Sequence, residues 1–580
     1  MDLRSRVATI VAVSVIPAVL LYGTENYPPV PPQPANPIQL LPVQRSSALL
    51  CASTPEHRHT VRMIIDGQST SQQWWSWELL QEIPRQFPNA DFKGSLMAIT
   101  SFGADYLIQT AESDVYPLLP DLIVFQCYGP YGPGQEWERI LREFRKRTTA
   151  DVILIGNHPV VDWELAEPTD PARIHFDLDP VHDGQAWLNY IRTPALCGEL
   201  GLCNPDNRSI WKRFLAANGL RPADLLQDSI HFNKRGSDLL KEILRPYLGA
   251  ARLNPPIDPF NNSRVRTYPV GVDGLSWVHG QLRLPFVGNR VDVVAGGDSG
   301  GTCRVMVDGI PPTHWPSGTG HSRSSGWKGE VFFRPALLKV GTLVPLEEEV
   351  WTLTVTSVDA GNRKRFSFSV SGSSTGPDGA GNSYERFVSQ SGRVVIETNS
   401  WNFVVIPPDS QLGTTITWRS RVRSLDSYLA TPVLDPQRER AVNLFFDLPD
   451  GDHVLELTAD DPEHPPSLAA LRVYHPGGVM PGTERGVGSA PDAPDFDRGA
   501  NTFGHVVQAC ADGQANKDGL RSGPIRIPNL VALGLGRLAE QSGAARLPAN
   551  AFRELVEVHP RIAWSLLEHL SALLRRMTDR

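Results

Sequence analysis

The sequence predicts an α/β domain built on a doubly wound parallel sheet, then an all-β sandwich, then a small irregular and helical tail. Three observations lead there. Between residues 57 and 250 short apolar runs of strand length alternate with stretches of helical periodicity, the order that gives a parallel sheet covered on both faces. Beyond Pro255 the period drops to two, in short runs such as Trp351-Thr352-Leu353-Thr354-Val355 and His453-Val454-Leu455-Glu456-Leu457 separated by Gly, Asp, Ser and Pro, the mark of an antiparallel β domain. Finally, 580 residues are too many for one hydrophobic core.

Composition narrows the function classes. An apolar fraction of 41% and a charged fraction of 20% are globular values. A net charge of -8 with no basic tract excludes a broad electrostatic attraction to nucleic acid or to anionic membranes.

The first element is residues 1–26. Arg4 and Arg6 precede an uncharged apolar run from Val7 to Leu21, which reads as a signal peptide or signal anchor. Export follows, secreted or membrane-anchored through the N-terminus, with cleavage left open. Pro28, Pro29, Pro31, Pro32, Pro34, Pro37 and Pro42 make 27–56 a stiff linker with no packed role.

Residues 57–250 form the α/β domain. Met63-Ile64-Ile65-Asp66-Gly67-Gln68-Ser69 is a buried strand delivering its last residues to a tight turn, where an α/β fold presents a nucleophile. A serine hydroxyl needs a base and something to hold that base. Asp228-Ser229-Ile230-His231 supplies both in one turn, the carboxylate on one ring nitrogen and the other nitrogen free for a serine. Each piece alone is ordinary turn chemistry or a surface pair; their order along one α/β pattern carries the reading. Between them the pattern predicts a helix over 72–87, with Trp74, Trp75 and Trp77 mostly in the core and a sugar-pocket lining the alternative for some of them, and a strand over 96–100. A helix over 104–113, a strand over 122–125, a helix over 136–148 and a strand over 152–155 follow. Residues 171–194 read as a solvated loop, and its Asp177, Asp179, His182 and Asp183 match no metal-ligand spacing. A helix begins at Ser209, and another around Leu239 closes the domain. Cys197 and Cys203 are near enough in sequence to pair, and two free thiols are an equal alternative.

Asp66-Gly67-Gln68-Ser69, Gly103 after a strand, Pro120-Asp121-Leu122-Ile123-Val124-Phe125, and the late Asp228-x-x-His231 followed by Asn233 and Gly236 together resemble the SGNH (GDSL-like) hydrolases. The resemblance implies a flavodoxin-like sheet and ester hydrolysis, with Ser69 the nucleophile, His231 the general base and Asp228 its orienter. It implies no cofactor. Oxyanion donors would be the N–H groups of Ser69 and Gly103 and an asparagine side chain in the third block. That block reads Gln126-Cys127-Tyr128-Gly129-Pro130-Tyr131 and has no asparagine, so Asn157, after the next strand, stands as the substitute; one missing donor costs ~10²–10³ in rate. The expected partner is an acylated carbohydrate, with acetyl as the expected acyl group, or another small ester. The alternative is an inactive SGNH-fold protein serving as a glycan-binding or envelope scaffold.

Residues 262–476 make the β-sandwich. Phe286-Val287-Gly288-Asn289-Arg290 and the strand ending Val307-Asp308-Gly309 resemble the accessory jelly-roll domain of some SGNH carbohydrate esterases. Trp277, Trp315, Trp327 and Trp401 are candidates for a glycan surface; a packing role against the hydrolase is the equal alternative. In 486–539, Gly499-Ala500-Asn501-Thr502-Phe503-Gly504-His505 and Ile527-Pro528-Asn529-Leu530 resemble an N-terminal piece of phosphopentomutase, without most of the ligands that family needs, and no mutase activity is expected. In 540–580, Arg546-Leu547-Pro548 with His559-Pro560 is similar to the end of a cyclic-nucleotide-binding regulator and predicts an amphipathic helix pair.

Overall fold

The computed structural model describes residues 27–477, apart from 129–134, 176–182, 250–256, 273, 298–299, 329–333, 405–411 and 433–434. The N-terminal apolar run and both stretches of the tail lie outside the described residues, as do Asp177, Asp179 and His182. Among the described residues no helix is long and apolar enough to cross a membrane.

The chain enters differently from the expected linker. A 3₁₀ helix at Pro37–Val43 leads into α1 (Gln44–Ala52). Val30, Ala35, Leu40, Val43, Leu49 and Leu50 all belong to or pack against a hydrophobic core of the α/β unit. Arg45 pairs with Asp121 at 2.9 Å, both side chains buried, and the N–H of Ser46 donates to Asp151 at 2.7 Å. The prolines stiffen a segment that is part of the fold.

Four parallel strands follow: β1 (Thr60–Gly67), β2 (Asp91–Leu96), β3 (Leu122–Gln126) and β4 (Asp151–Leu154), in the spatial order β2-β1-β3-β4. The helices are α2 (Trp74–Gln86), α3 (Ala104–Asp114), α4 (Glu136–Arg147), α5 (Asp183–Ala186), α6 (Thr193–Leu200), α7 (Asn207–Asn218) and α8 (Lys234–Leu244). One hydrophobic cluster, with Met63, Ile65, Trp75, Val124, Trp211 and Leu240, lies on one face of the sheet; a second, with Ile64, Leu107, Ile123, Phe125, Leu141 and Val152, lies on the other. Alternate residues of β1 thus feed opposite cores, as the strand period requires.

Two sequence expectations shift. The strand expected at 96–100 lies earlier, at β2: this edge strand is partly exposed along its length, so it carries little apolar signal. The apolar residues after it, Ile99 and Phe102, are fully buried in the loop that leads to α3. The expected loop at 171–194 becomes helical from Asp183, α5 running through a π-helical stretch at Trp187–Arg192 into α6, because Ala186, Trp187 and Leu188 have a core to enter. Cys197 and Cys203 are buried free thiols.

Beyond residue 262 the structure is antiparallel. Ser427–Leu429, Thr302–Val307, Gly451–Ala459 and Gln281–Gly288 form one four-stranded sheet, and Ala441–Phe445, Arg290–Ala295, Leu468–Tyr474 and Val265–Pro269 a second. Their inward side chains, Leu284, Val305 and Leu455 from one sheet and Val293, Leu444 and Leu471 from the other, share one core. Between Val307 and Ser427 the chain leaves this pair and builds a five-stranded sheet with its own core around Trp351, Phe366, Phe368 and Trp418. The single sandwich expected over 262–476 is therefore two β units, one inserted in the other. Trp327 and Trp401 stack on each other, 6.2 Å between centroids, inside the inserted core, and Trp277 and Trp315 pack against the sandwich core.

Ion pairs, one buried and the others half-buried, join the β units to the α/β unit. Arg264 reaches Asp151 at 3.0 Å and Arg147 binds both Glu112 and Asp447. Asp121 and Asp151 mark the N-terminal ends of β3 and β4, the edge opposite the one where β1 delivers Ser69.

Candidate active site

Gly67 ends β1 opposite Gln126 of β3. Its φ is +139°, and a Cβ there would stand 1.9 Å from the Gln126 carbonyl oxygen, so only glycine fits the close approach. The N–H of Gln68 donates to that carbonyl at 3.2 Å. The chain then turns through a single 3₁₀ turn, Ser69–Ser71, and Trp75 Nε1 donates to the Thr70 carbonyl at 2.8 Å. These bonds hold Ser69 at the C-terminal edge of the sheet, ahead of the N-terminus of α2, the usual crevice position in an open parallel sheet.

The partner loop comes from the end of the domain. Leu226 and Phe232 form an antiparallel bridge, and the N–H of Asn233 donates to the Leu225 carbonyl at 3.0 Å. Asn233 Oδ1 caps α8 by accepting from the N–H of Gly236 at 3.0 Å. A Cβ on Gly236 would lie 2.2 Å from the Leu225 carbonyl oxygen, which explains the glycine after the asparagine. Inside this loop Asp228 Oδ1 accepts the N–H groups of Ile230 and His231 at 2.8 and 2.7 Å, an Asx turn.

That turn aims the imidazole. His231 Nδ1 lies 2.7 Å from Asp228 Oδ2, and Nε2 lies 2.8 Å from Ser69 Oγ. An ionised Asp228 requires Nδ1 to carry the proton, which leaves Nε2 to accept from the serine hydroxyl. Burial would raise the Asp228 carboxyl; the two backbone N–H groups and the His231 ring outweigh it and hold the carboxyl below its ordinary range. The arrangement can take a proton from Ser69 and stabilise the resulting imidazolium.

Gly103 is the N-cap of α3. The loop before it runs beside the serine turn: the N–H of Ile99 donates to the Gly67 carbonyl at 2.8 Å, and Gln72 Nε2 donates to the Ala98 carbonyl at 2.6 Å. Asn157 is buried, and its Nδ2 donates to Gln185 Oε1 at 3.1 Å, a bond that engages one of the two N–H groups of that amide. The loop carrying it is held by Arg208, whose buried guanidinium binds Glu167 at 2.5 and 2.7 Å.

Three further side chains surround the site. Gln68 Oε1 accepts the N–H of Tyr128 at 2.8 Å; Tyr128 Oη lies 3.2 Å from His158 Nδ1; His158 Nε2 lies 3.0 Å from the carbonyl of Ile230. The links run from the residue before Ser69 to the residue before His231. Sequence reading gave Gln68 and Tyr128 no role and took His158 as a structural residue, because each contact crosses between separate strands and loops. On α2, Trp75 is buried as expected, whereas Trp74 and Trp77 are 51% and 54% exposed. They share the solvent face with Gln81, three and four positions apart. Among the described residues no cluster of metal-ligating side chains occurs.

No family model matches the chain. Among solved structures it is similar to a two-domain esterase active on acetylated mannans, at 11% identity and TM-score 0.26, covering 75% of this chain and 95% of that one. It is also similar to a catalytic mutant of an acetylxylan esterase from Geobacillus stearothermophilus, at 12% identity and TM-score 0.28, covering 33% and 94%. Likenesses this loose carry no argument about the chemistry of this chain. Among curated proteins it matches phosphopentomutases: 52% identity over 64 residues with that of Methylorubrum extorquens, 11% of this chain and 16% of that protein, and 57% over 58 residues with that of Proteus mirabilis. The chain spans about a sixth of the length of the curated relatives it matches. The accessory-domain and regulator resemblances gain no support from these comparisons.

Proposed function

We propose that the protein is a serine esterase of the SGNH type that hydrolyses acyl esters, with acetylated carbohydrate as the substrate class. Ser69 is the nucleophile, His231 the general base and Asp228 the residue that orients it. The observation that carries this reading is the continuous contact from Asp228 Oδ2 through the His231 ring to Ser69 Oγ, 2.7 and 2.8 Å.

In the first half-reaction Ser69 Oγ attacks the ester carbonyl while His231 Nε2 takes its proton; the N–H groups of Ser69 and Gly103 face the developing oxyanion. His231 then gives the proton to the leaving alcohol. Water, deprotonated by the same nitrogen, attacks the acyl-enzyme and releases the acid. No step calls on a cofactor.

Carbohydrate is favoured by the exposed indoles of Trp74 and Trp77, on the first helix after Ser69, since an indole face stacks on the C–H face of a pyranose. Acetyl as the acyl group and export with or without N-terminal anchoring rest on the sequence alone and belong to the same proposal. The test is turnover: full-length protein should hydrolyse p-nitrophenyl acetate and release acetate from acetylated oligosaccharides. Ser69→Ala should lose at least ~10³-fold in kcat. Equal rates for wild type and Ser69→Ala would remove the reading.

A further inference from the structure

We infer that Gln68 supplies, through Nε2, the side-chain donor to the oxyanion that the third sequence block lacks. The inference rests on the reading of Ser69 as nucleophile and adds a catalytic residue to it.

Gln68 directly precedes Ser69, and its amide is held at one end. Oε1 accepts the N–H of Tyr128 at 2.8 Å, in the loop after β3, the strand paired with β1. The opposite orientation would set the NH₂ group against a backbone N–H, two donors face to face, so the chemistry of the contact fixes which end is which. Nε2 is therefore turned away from Tyr128, and among the described residues it makes no hydrogen bond.

Tyr128 is itself braced. The Ile230 carbonyl can only accept, so His158 Nε2, 3.0 Å away, carries the ring proton. His158 Nδ1 is then the acceptor for the Tyr128 hydroxyl at 3.2 Å. The imidazole is packed between Trp211 and Phe232, with centroids at 5.2 and 4.5 Å, so the brace has little freedom. Asn157, the other amide near this edge, already donates to Gln185. Gln68 thus combines a place directly beside Ser69, an amide fixed at one end and a donor that no other described residue engages, the preorganisation an oxyanion site requires.

The experiment uses the full-length protein with p-nitrophenyl acetate and, as a mimic of the tetrahedral intermediate, phenylboronic acid. Gln68→Glu keeps the acceptor for Tyr128 and removes the donor; Gln68→Ala removes both. For both variants kcat should fall about 100- to 1,000-fold, KM should stay within about threefold, and boronate affinity should weaken in parallel with kcat. Thermal melting of Gln68→Glu should match wild type. Retention of kcat within about threefold in both variants, while Ser69→Ala is inactive, overturns the inference and leaves the esterase reading standing. So does a fall in kcat with boronate affinity unchanged. Wild-type protein that neither turns over ester nor binds boronate overturns both.

Discussion

Arg323 grips Asp114: its Nε lies 3.1 Å from each carboxylate oxygen and its Nη2 2.7 Å from Oδ2. The same Nη2 donates to the Met97 carbonyl at 3.1 Å, and the N–H of Met97 donates to Ile65 in β1 at 2.8 Å. The inserted β unit is thereby tied to the strand that ends at Ser69. Beside this tie sits Asp66, three residues before Ser69 and buried.

Asp66 sets a pH dependence. Burial, with the neighbouring Asp114 adding to it, pushes its carboxyl up to about 7, against the pull of the Gly67 N–H and Arg323. The folded value lies above the unfolded one of about 3.9, so the native state keeps a proton that the unfolded state has lost. Its contribution is whole below about pH 4 and is lost as pH rises through about 7. Asp66→Asn keeps an acceptor for Gly67 and has no proton to lose. The melting-temperature difference, variant minus wild type, should climb between pH 4 and 7 and level off above. A difference that is flat across that range contradicts the assignment.

Arg45 tests the entry segment. Its guanidinium is buried against Asp121, and removing one partner of a buried pair costs about 3–5 kcal/mol. Arg45→Ala should lower urea-unfolding stability by about 3 kcal/mol. A change within about 0.5 kcal/mol would mean that residues 27–52 behave as a linker.

Gly67 tests the turn that presents the serine. With φ +139° and the Gln126 oxygen 1.9 Å from a built Cβ, Gly67→Ala must push β1 and β3 apart or move the turn. Stability should drop by about 3 kcal/mol or more, read by urea unfolding, or, if the turn moves, kcat should fall instead. A variant equal to wild type in both would show that the close approach is not obligatory.

Trp74 and Trp77 test the substrate class. Replacing either with Ala should raise KM for acetylated oligosaccharides about five- to tenfold, on the order of 1 kcal/mol of lost aromatic contact, and leave KM for p-nitrophenyl acetate unchanged. An equal change for both substrates would place the indoles outside sugar recognition.

What could be read in the sequence depends on how local each interaction is. Ser69 at a tight turn and Asp228 three residues before His231 are short-range signals, and turn chemistry alone constrains them. Gln68 was invisible because its meaning depends on the N–H of Tyr128, sixty positions away in the loop after the neighbouring strand. The edge strand β2 was misplaced because one side of an edge is wet: Lys93 and Gly94 are exposed, while the apolar signal came from Ile99 and Phe102, buried in a loop. Residues 27–52 read as linker because proline content outweighed the sparse apolar positions, and nothing local announces that Arg45 meets Asp121. Periodicity exposed the β-strands beyond 262, but not that Trp327 and Trp401 face a core, nor that one β unit interrupts another, since period two is the same in either.

The most direct test of the proposed chemistry is covalent. Full-length protein treated with a serine-directed phosphonate at pH 7–8, then digested and mapped by mass, should carry one adduct, on Ser69, and His231→Ala should carry little or none in the same time. No adduct on the wild-type protein, or an adduct on Ser69 that forms as fast without the His231 imidazole, would contradict it.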